Sequence, residues 1–332
     1  MIPVIVPFAL VLPPLPTAVP PAAVRAAAEK ALPLLRAAAE GHIDQKSCFG
    51  CHNQTFPLVA FAAAKERGFG PPAGVFAAQA EHVAAFLEAN AEKFRKGEGT
   101  GGAADTAATA LYTLELAGYR PDDATAAVVE YLLKTQPDRD HWRVSGSRPP
   151  TEASSFTTTY LAARALRVWT PAPQQERAEQ RIAAARGWLL KTPAKDTEDR
   201  VSRLFGLKEV GADEKEVAAA AWELLKTQRA DGGWGQTDEM AADAYATGTA
   251  LVALHQAGGL PTTHPAYARG VAFLLKTQLP DGSWHVKTRS VPFQPYYEGG
   301  FPHGKDQFIS SSATGWAATA LILTCPPKEA AR

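Results

Sequence analysis

Two kinds of apolar segment alternate along the chain. In residues 22–40 the apolar side chains Val24, Ala28, Ala31, Leu32 and Leu35 fall on one stripe at helical spacing, and Ala124, Ala127, Val128, Tyr131 and Leu132 do the same over 122–135. Such a segment keeps one face for a core and the other for water. The second kind, as in residues 105–116, is small and apolar nearly all round and must be buried on every side. This spacing predicts six buried-type helices, starting near Leu58, Asp105, Ser155, Asp199, Asp243 and Ser311. It also predicts six amphipathic ones, starting near Ala22, Phe76, Asp122, Gln175, Asp213 and Pro265. Gly41, Gly68 and the glycine cluster of residues 97–102 read as helix stops.

The two ends of the series settle how the segments combine. The first segment is amphipathic, and the last is buried-type with no amphipathic helix after it. If the first helix lies outside the last, six inner helices are ringed by six outer ones and every apolar stripe is covered. The expected fold is all-α, an (α/α)6 toroid, as a single domain over residues 22–327.

A short sequence recurs at the junctions. Leu224-Leu225-Lys226-Thr227-Gln228 is followed by Asp231-Gly232-Gly233-Trp234, and Leu274-Leu275-Lys276-Thr277-Gln278 by Asp281-Gly282-Ser283-Trp284. Leu132-Leu133-Lys134-Thr135-Gln136 with Trp142, and Trp188-Leu189-Leu190-Lys191-Thr192, are weaker copies. The pattern Gln228, Asp231, Gly232, Trp234 and its fellow Gln278, Asp281, Gly282, Trp284 resembles the QW repeat of squalene-hopene cyclases and the related protein prenyltransferases. The resemblance covers residues 101–324 and implies the same helical toroid. An Asp-Gly turn after the outer helix, with Gln and Trp free to bond and pack across to the next helix, gives it a physical basis.

The chemistry that the resemblance implies is less well matched. Cyclases of this type protonate their substrate with an acid of a D-x-D-D motif, which is not found; the nearest positions, Asp105 and Asp243, each offer a single carboxylate. Aromatic residues able to guide a carbocation are expected mainly at Phe156, Tyr160 and Tyr245. The prenyltransferase zinc set of Asp, Cys and His is not met either, because the one cysteine of the repeat region is Cys325. At the toroid mouth the lumen is expected to carry Asp105, Arg200, Arg203, Asp243 and Tyr245. The two arginines there would clamp a carboxylate or phosphate.

Composition narrows the partners. With 34 basic and 34 acidic residues the formal net charge is zero, which gives no electrostatic case for nucleic acid or an anionic membrane surface. Residues 2–12 are apolar but interrupted by Pro3 and Pro7, too short to span a bilayer. With the Pro-rich and small residues that follow, residues 1–21 read as a signal-like leader, and the protein is expected to be exported, for instance to a periplasm.

Three cysteines exclude a disulfide framework, but two of them form Cys48-Phe49-Gly50-Cys51-His52. That C-x-x-C-H spacing suits haem c: two thiols for the vinyl groups and His52 for the iron. In an inner–outer toroid the loop of residues 41–54 shares one end with residues 136–154, 228–242 and 279–309. Those loops hold His141, His285, His303 and Met240, and His303, then Met240, are the expected distal ligands. The long segment 290–308 reads as a lid or binding loop.

Three functions follow from these readings. The first is an exported haem c toroid with a redox or electron-transfer role and a redox partner protein. The second is a cyclase- or prenyltransferase-like enzyme, or binder, of a small apolar isoprenoid in the lumen. The third is a non-catalytic scaffold with a Cys48–Cys51 disulfide.

Overall fold

The computed structural model describes residues 19–291 and 295–328; most of the leader-like segment and part of the expected lid lie outside them. Thirteen α-helices are present among the described residues: α1 (Pro21–Gln45), α2 (Cys51–Glu66), α3 (Val75–Ala89), α4 (Ala91–Lys96), α5 (Ala103–Leu116), α6 (Asp123–Lys134), α7 (Ser155–Trp169), α8 (Gln175–Lys191), α9 (Thr197–Glu209), α10 (Glu214–Leu225), α11 (Ala244–Gln256), α12 (Pro265–Thr277) and α13 (Gln307–Ile322). A two-residue antiparallel ladder, Trp234–Gly235 against Ala242–Asp243, accompanies them.

The inner ring is α2, α5, α7, α9, α11 and α13, each packed on the next, and α13 returns to α2. Outer helices sit over the seams: α6 over α5 and α7, α8 over α7 and α9, α10 over α9 and α11, α12 over α11 and α13. The last seam, between α13 and α2, is covered by α1. The fold is therefore the (α/α)6 toroid that the alternation predicts, with its first helix serving its last repeat. Composition explains the division: α11 and α13 are buried over most of their length, whereas α8 and α10 bury a single stripe each.

The repeated sequence forms the seams. Trp142, Trp234 and Trp284 are fully buried, and each indole N–H donates to the carbonyl ten residues earlier, at Leu132, Leu224 and Leu274, over 2.9–3.0 Å. Gln228 Nε2 donates both to Gly232 O within its own turn and to Ala266 O on α12. Gln278 does the same with Gly282 O and with Ala27 O on α1, so the final copy closes the ring. In the weaker copy around Gln136 the reach to the next outer helix is made from the other side, by Arg181 of α8, which donates to Arg139 O and lies over the Trp142 ring.

Several helix starts and stops differ from the sequence reading, among them those of α9, which begins two residues early at Thr197, and α13, which begins at Gln307. Helix α1 does not stop at Gly41 but runs through it, because Gly41 is a point of close approach: a Cβ there would lie 2.7 Å from Gly299 O. Helix α2 begins at Cys51 and accommodates Pro57 inside it, so Cys51 and His52 are its first turn and not part of a loop.

Candidate functional site

All six inner helices run the same way through the ring, so their N-termini meet at one rim. Ser154, Asp196 and Asp243 cap α7, α9 and α11 there by accepting backbone N–H groups. Inside the ring, near the rim, lies a cavity. Its wall is mostly aromatic and aliphatic, with Phe56, Tyr112, Tyr160, Phe205, Tyr245 and Trp316 as its large aromatic side chains. The aromatic lining is thus richer than the three residues expected from sequence. Of those three, Tyr160 and Tyr245 line it and Phe156 instead packs against Trp188.

Behind the cavity-lining Tyr112, Arg164 of α7 ties neighbouring inner helices together. It holds Glu115 in a two-pronged pair at 2.6 and 2.8 Å and Glu209 at 3.0 Å, joining α7 to α5 and α9. Its guanidinium also lies over the Tyr112 ring.

Of the three acids that line the cavity, Asp105 and Glu198 stand in the first turns of inner helices and Glu152 in a connection. Asp105, in the first turn of α5, accepts from Thr158 Oγ1 at 3.4 Å through Oδ1, while Oδ2 has no hydrogen bond to the described residues. Burial pushes its carboxyl up to about 7, against the opposing hydrogen bond from Thr158. Glu198, in the first turn of α9, accepts from Thr157 Oγ1 at 2.7 Å through one oxygen and from Tyr245 Oη at 2.9 Å through the other. Burial likewise pushes it up to about 7. Glu198 was missed in the sequence because three acids, Asp196, Glu198 and Asp199, crowd the start of α9. The spacing to Val201 and Phe205 puts Glu198 on their lumen face, a signal that was available.

The same helical phase moves the expected arginines away from the lumen. Arg200 reaches outward to Asp238 at 3.2 Å, and Arg203 donates to Leu189 O and Leu190 O and pairs with Glu223. No anion clamp is formed. Asp243 is occupied as the cap of α11, accepting from Ala246 N and from Gln236 Nε2, and does not line the cavity.

The C-x-x-C-H residues stand at this rim. Cys51 lines the cavity, and its Sγ lies 3.1 Å from His52 Nδ1 and 3.3 Å from Glu152 Oε1. His52 Nδ1 is 3.8 Å from the same carboxylate oxygen, and His52 Nε2 is 3.2 Å from Thr151 Oγ1. Glu152 and Thr151 belong to the α6–α7 connection, which folds over the rim; Arg148 and Glu152 exchange backbone hydrogen bonds there and their side chains form an ion pair. Burial pushes the Cys51 thiol up to about 12 and holds the His52 imidazole down at about 3. Cys48 is exposed, and the thiols are not joined in a disulfide.

The expected distal ligands are not brought to His52. His303 bonds Ser283 Oγ at 2.8 Å and stacks on His285, which pairs with Asp306. Met240 Sδ accepts from Arg289, and His141 stacks on Trp188. The partners of His52 are Glu152 and Thr151, which nothing in the linear motif announces.

The ring defines the fold, an (α/α)6 toroid of the kind found in terpenoid cyclases. Residues 199–310 match the squalene-hopene cyclase C-terminal domain. The fold is similar to that of the type II terpene cyclase MstE from Scytonema, at 16% identity and TM-score 0.55, covering 93% of this chain and 99% of that one. An MstE variant in complex with geranylgeranyl dihydroxybenzoate as substrate matches at 14% identity and TM-score 0.53, over 91% and 97% of the two chains. A possible member of the GH105 family from Salmonella enterica matches at 12% identity and TM-score 0.55, over 98% and 99%. No curated protein matches the chain in sequence. Among the described residues no helix is long and apolar enough to cross a membrane.

Proposed function

We propose that the toroid takes a small apolar ligand of isoprenoid type into its lumen and that Asp105 supplies a proton to it. The observation that carries this reading is Asp105 itself. It is a buried carboxyl with an affinity for its proton near neutrality, positioned through Oδ1 by Thr158 and without a hydrogen bond at Oδ2 among the described residues, on a wall otherwise rich in aromatic faces. A neutral acid in such a place can protonate a carbon–carbon double bond, leaving the Asp105 carboxylate and a carbocation. The faces of Phe56, Phe205 and Trp316 then stabilise the positive charge. The aligned N-termini of the inner helices at this rim favour the carboxylate left behind. That MstE has been captured with a geranylgeranyl substrate in the same fold supports the choice of ligand class.

The test is direct. Purified protein is incubated with a geranylgeranyl arene, and products are separated by mass spectrometry coupled to chromatography. Cyclised isomers of unchanged mass are expected, together with a loss on the order of 10²–10⁴-fold in Asp105→Asn. Quenching of Trp316 fluorescence by the ligand in both proteins would show that binding survives the substitution. If no apolar polyene binds, the reading fails.

Covalent haem with a redox role is the second reading, supported by the motif and by the rim position of Cys51 and His52. The side chains as placed do not fit the group: His52 Nε2, which would face iron, is turned onto Thr151, and Cys51 is turned onto Glu152. A covalent-haem stain and a Soret band after expression with a cytochrome c maturation system check it, and colourless protein ends it.

A further inference from the structure

Cys51, His52 and Glu152 present three different ligand atoms, a sulfur, a ring nitrogen and a carboxylate oxygen, all within 4.8 Å of one another. The three edges of the triangle are 3.1 Å (Sγ to Nδ1), 3.3 Å (Sγ to Oε1) and 3.8 Å (Nδ1 to Oε1). Tetrahedral zinc, with Zn–S of about 2.3 Å and Zn–N and Zn–O of about 2.0–2.1 Å, requires edges of about 3.3–3.6 Å. The observed triangle straddles that range, and an ion about 2.1 Å from all three atoms satisfies it with small side-chain adjustments.

The surroundings are arranged as those of a metal site are. Thr151 Oγ1 sits at His52 Nε2; with that nitrogen protonated and donating, the lone pair is left on Nδ1, which faces Cys51 and Glu152. Arg148 takes the other oxygen of Glu152, leaving Oε1 for the cluster. Thr151, Glu152 and Arg148 lie in one short turn fixed by paired backbone hydrogen bonds between residues 148 and 152. One turn therefore orients both the imidazole and the carboxylate against a thiol on a different element.

We infer that Cys51, His52 and Glu152 form a three-ligand site for a single divalent transition metal ion, of the zinc class, at the mouth of the lumen. The donor set decides the class: a thiolate and an imidazole favour zinc over magnesium or calcium. Cys51 and Glu152 both line the cavity, so the ion borders the space where a ligand would lie. Three protein ligands leave a fourth position for water or a ligand atom, the pattern of reactive and not of purely structural zinc sites. Cys48 takes no part, because it is exposed and outside the cluster. The site does not depend on the proton-donor role of Asp105.

The experiment uses the full chain, expressed without any haem-maturation system, stripped with a chelator and titrated with cobalt(II). One cobalt per chain with a thiolate-to-cobalt charge-transfer band is expected, displaced by one equivalent of zinc. Cys51→Ser should abolish the band, and His52→Ala and Glu152→Gln should each weaken affinity by at least about 100-fold. Thr151→Val, which removes only the hydrogen bond to His52, should weaken it by about 10-fold. Cys48→Ser should bind as the parent does. Circular dichroism of each variant verifies folding, and a metal-dependent rise in the melting temperature of the unaltered chain gives a readout that no variant can confound. Absence of the band in the unaltered chain overturns the inference. So does equal loss in Cys48→Ser and Cys51→Ser, which would show a dithiol site and leave Glu152 a bystander.

Discussion

Tyr245 on α11 donates its hydroxyl to Glu198 on α9 across 2.9 Å, with both groups fully inside the ring. Thr157 of α7 holds the other carboxyl oxygen, so one acid ties three consecutive inner helices together. Removing the tyrosine hydroxyl takes away a bond that favours the ionised form. Tyr245→Phe should therefore raise the apparent pKa of Glu198 further and lower stability by about 1 kcal/mol. Titration followed by the carbonyl stretch of the protonated acid, with urea unfolding alongside, checks both.

The two raised acids also set a pH dependence of stability. Unfolded, Asp105 and Glu198 lose their protons near pH 4; folded, they keep them to about pH 7. Between those values the folded state binds more protons, so stability falls as pH rises from about 4 to 7. The contribution is at most on the order of 4 kcal/mol for Asp105 and 3 kcal/mol for Glu198. Replacing them together, as Asp105→Asn with Glu198→Gln, should flatten that decline; melting temperatures across the interval decide it.

The ring itself was legible in the sequence because its signal is carried by repetition. Copies around Gln228 and Gln278 fixed the seams, and the unpaired first and last helices required closure. The site was legible only in part. Cys51 and His52 stood out as a motif, but their actual partner Glu152 lies 101 residues away from Cys51 in a connection whose path over the rim no local pattern encodes. Arg200 and Arg203 were misplaced for a simpler reason. They flank the lumen-facing series Glu198, Val201 and Phe205 at about 100° per residue, and a start assigned two residues late hides that phase.

Ring closure can be weakened at one turn. A Cβ on Gly282, whose φ is +97°, would come within 2.6 Å of Lys30 O on α1. Gly282→Ala thus combines an unfavourable backbone conformation with a clash and should destabilise by about 2 kcal/mol or more. Gln278→Ala, which removes the bonds to Gly282 O and Ala27 O, should lose about 1–2 kcal/mol. Amide exchange should accelerate selectively in α1 in both variants.

Arg164 joins α5, α7 and α9 through two carboxylates. Arg164→Met removes the cation that Glu115 and Glu209 share, leaving Glu209 only the longer pair with Arg167, and should destabilise by about 3 kcal/mol. Adding Glu115→Gln should recover part of that loss, and a double-mutant cycle by chemical denaturation measures the coupling.

The seat of α1 has a consequence for how the chain is made. Helix α1 leaves the ribosome before any other described helix, yet the groove it fills lies between α2 and α13, and its bond from Gln278 spans 251 residues. Repeats one to five can stack as they emerge, but α1 must wait with the part of its apolar stripe that faces α13 uncovered until that helix exists. The seating of α1 is therefore a long-range docking step, and the slowest phase of ring formation should belong to this first helix of the ring.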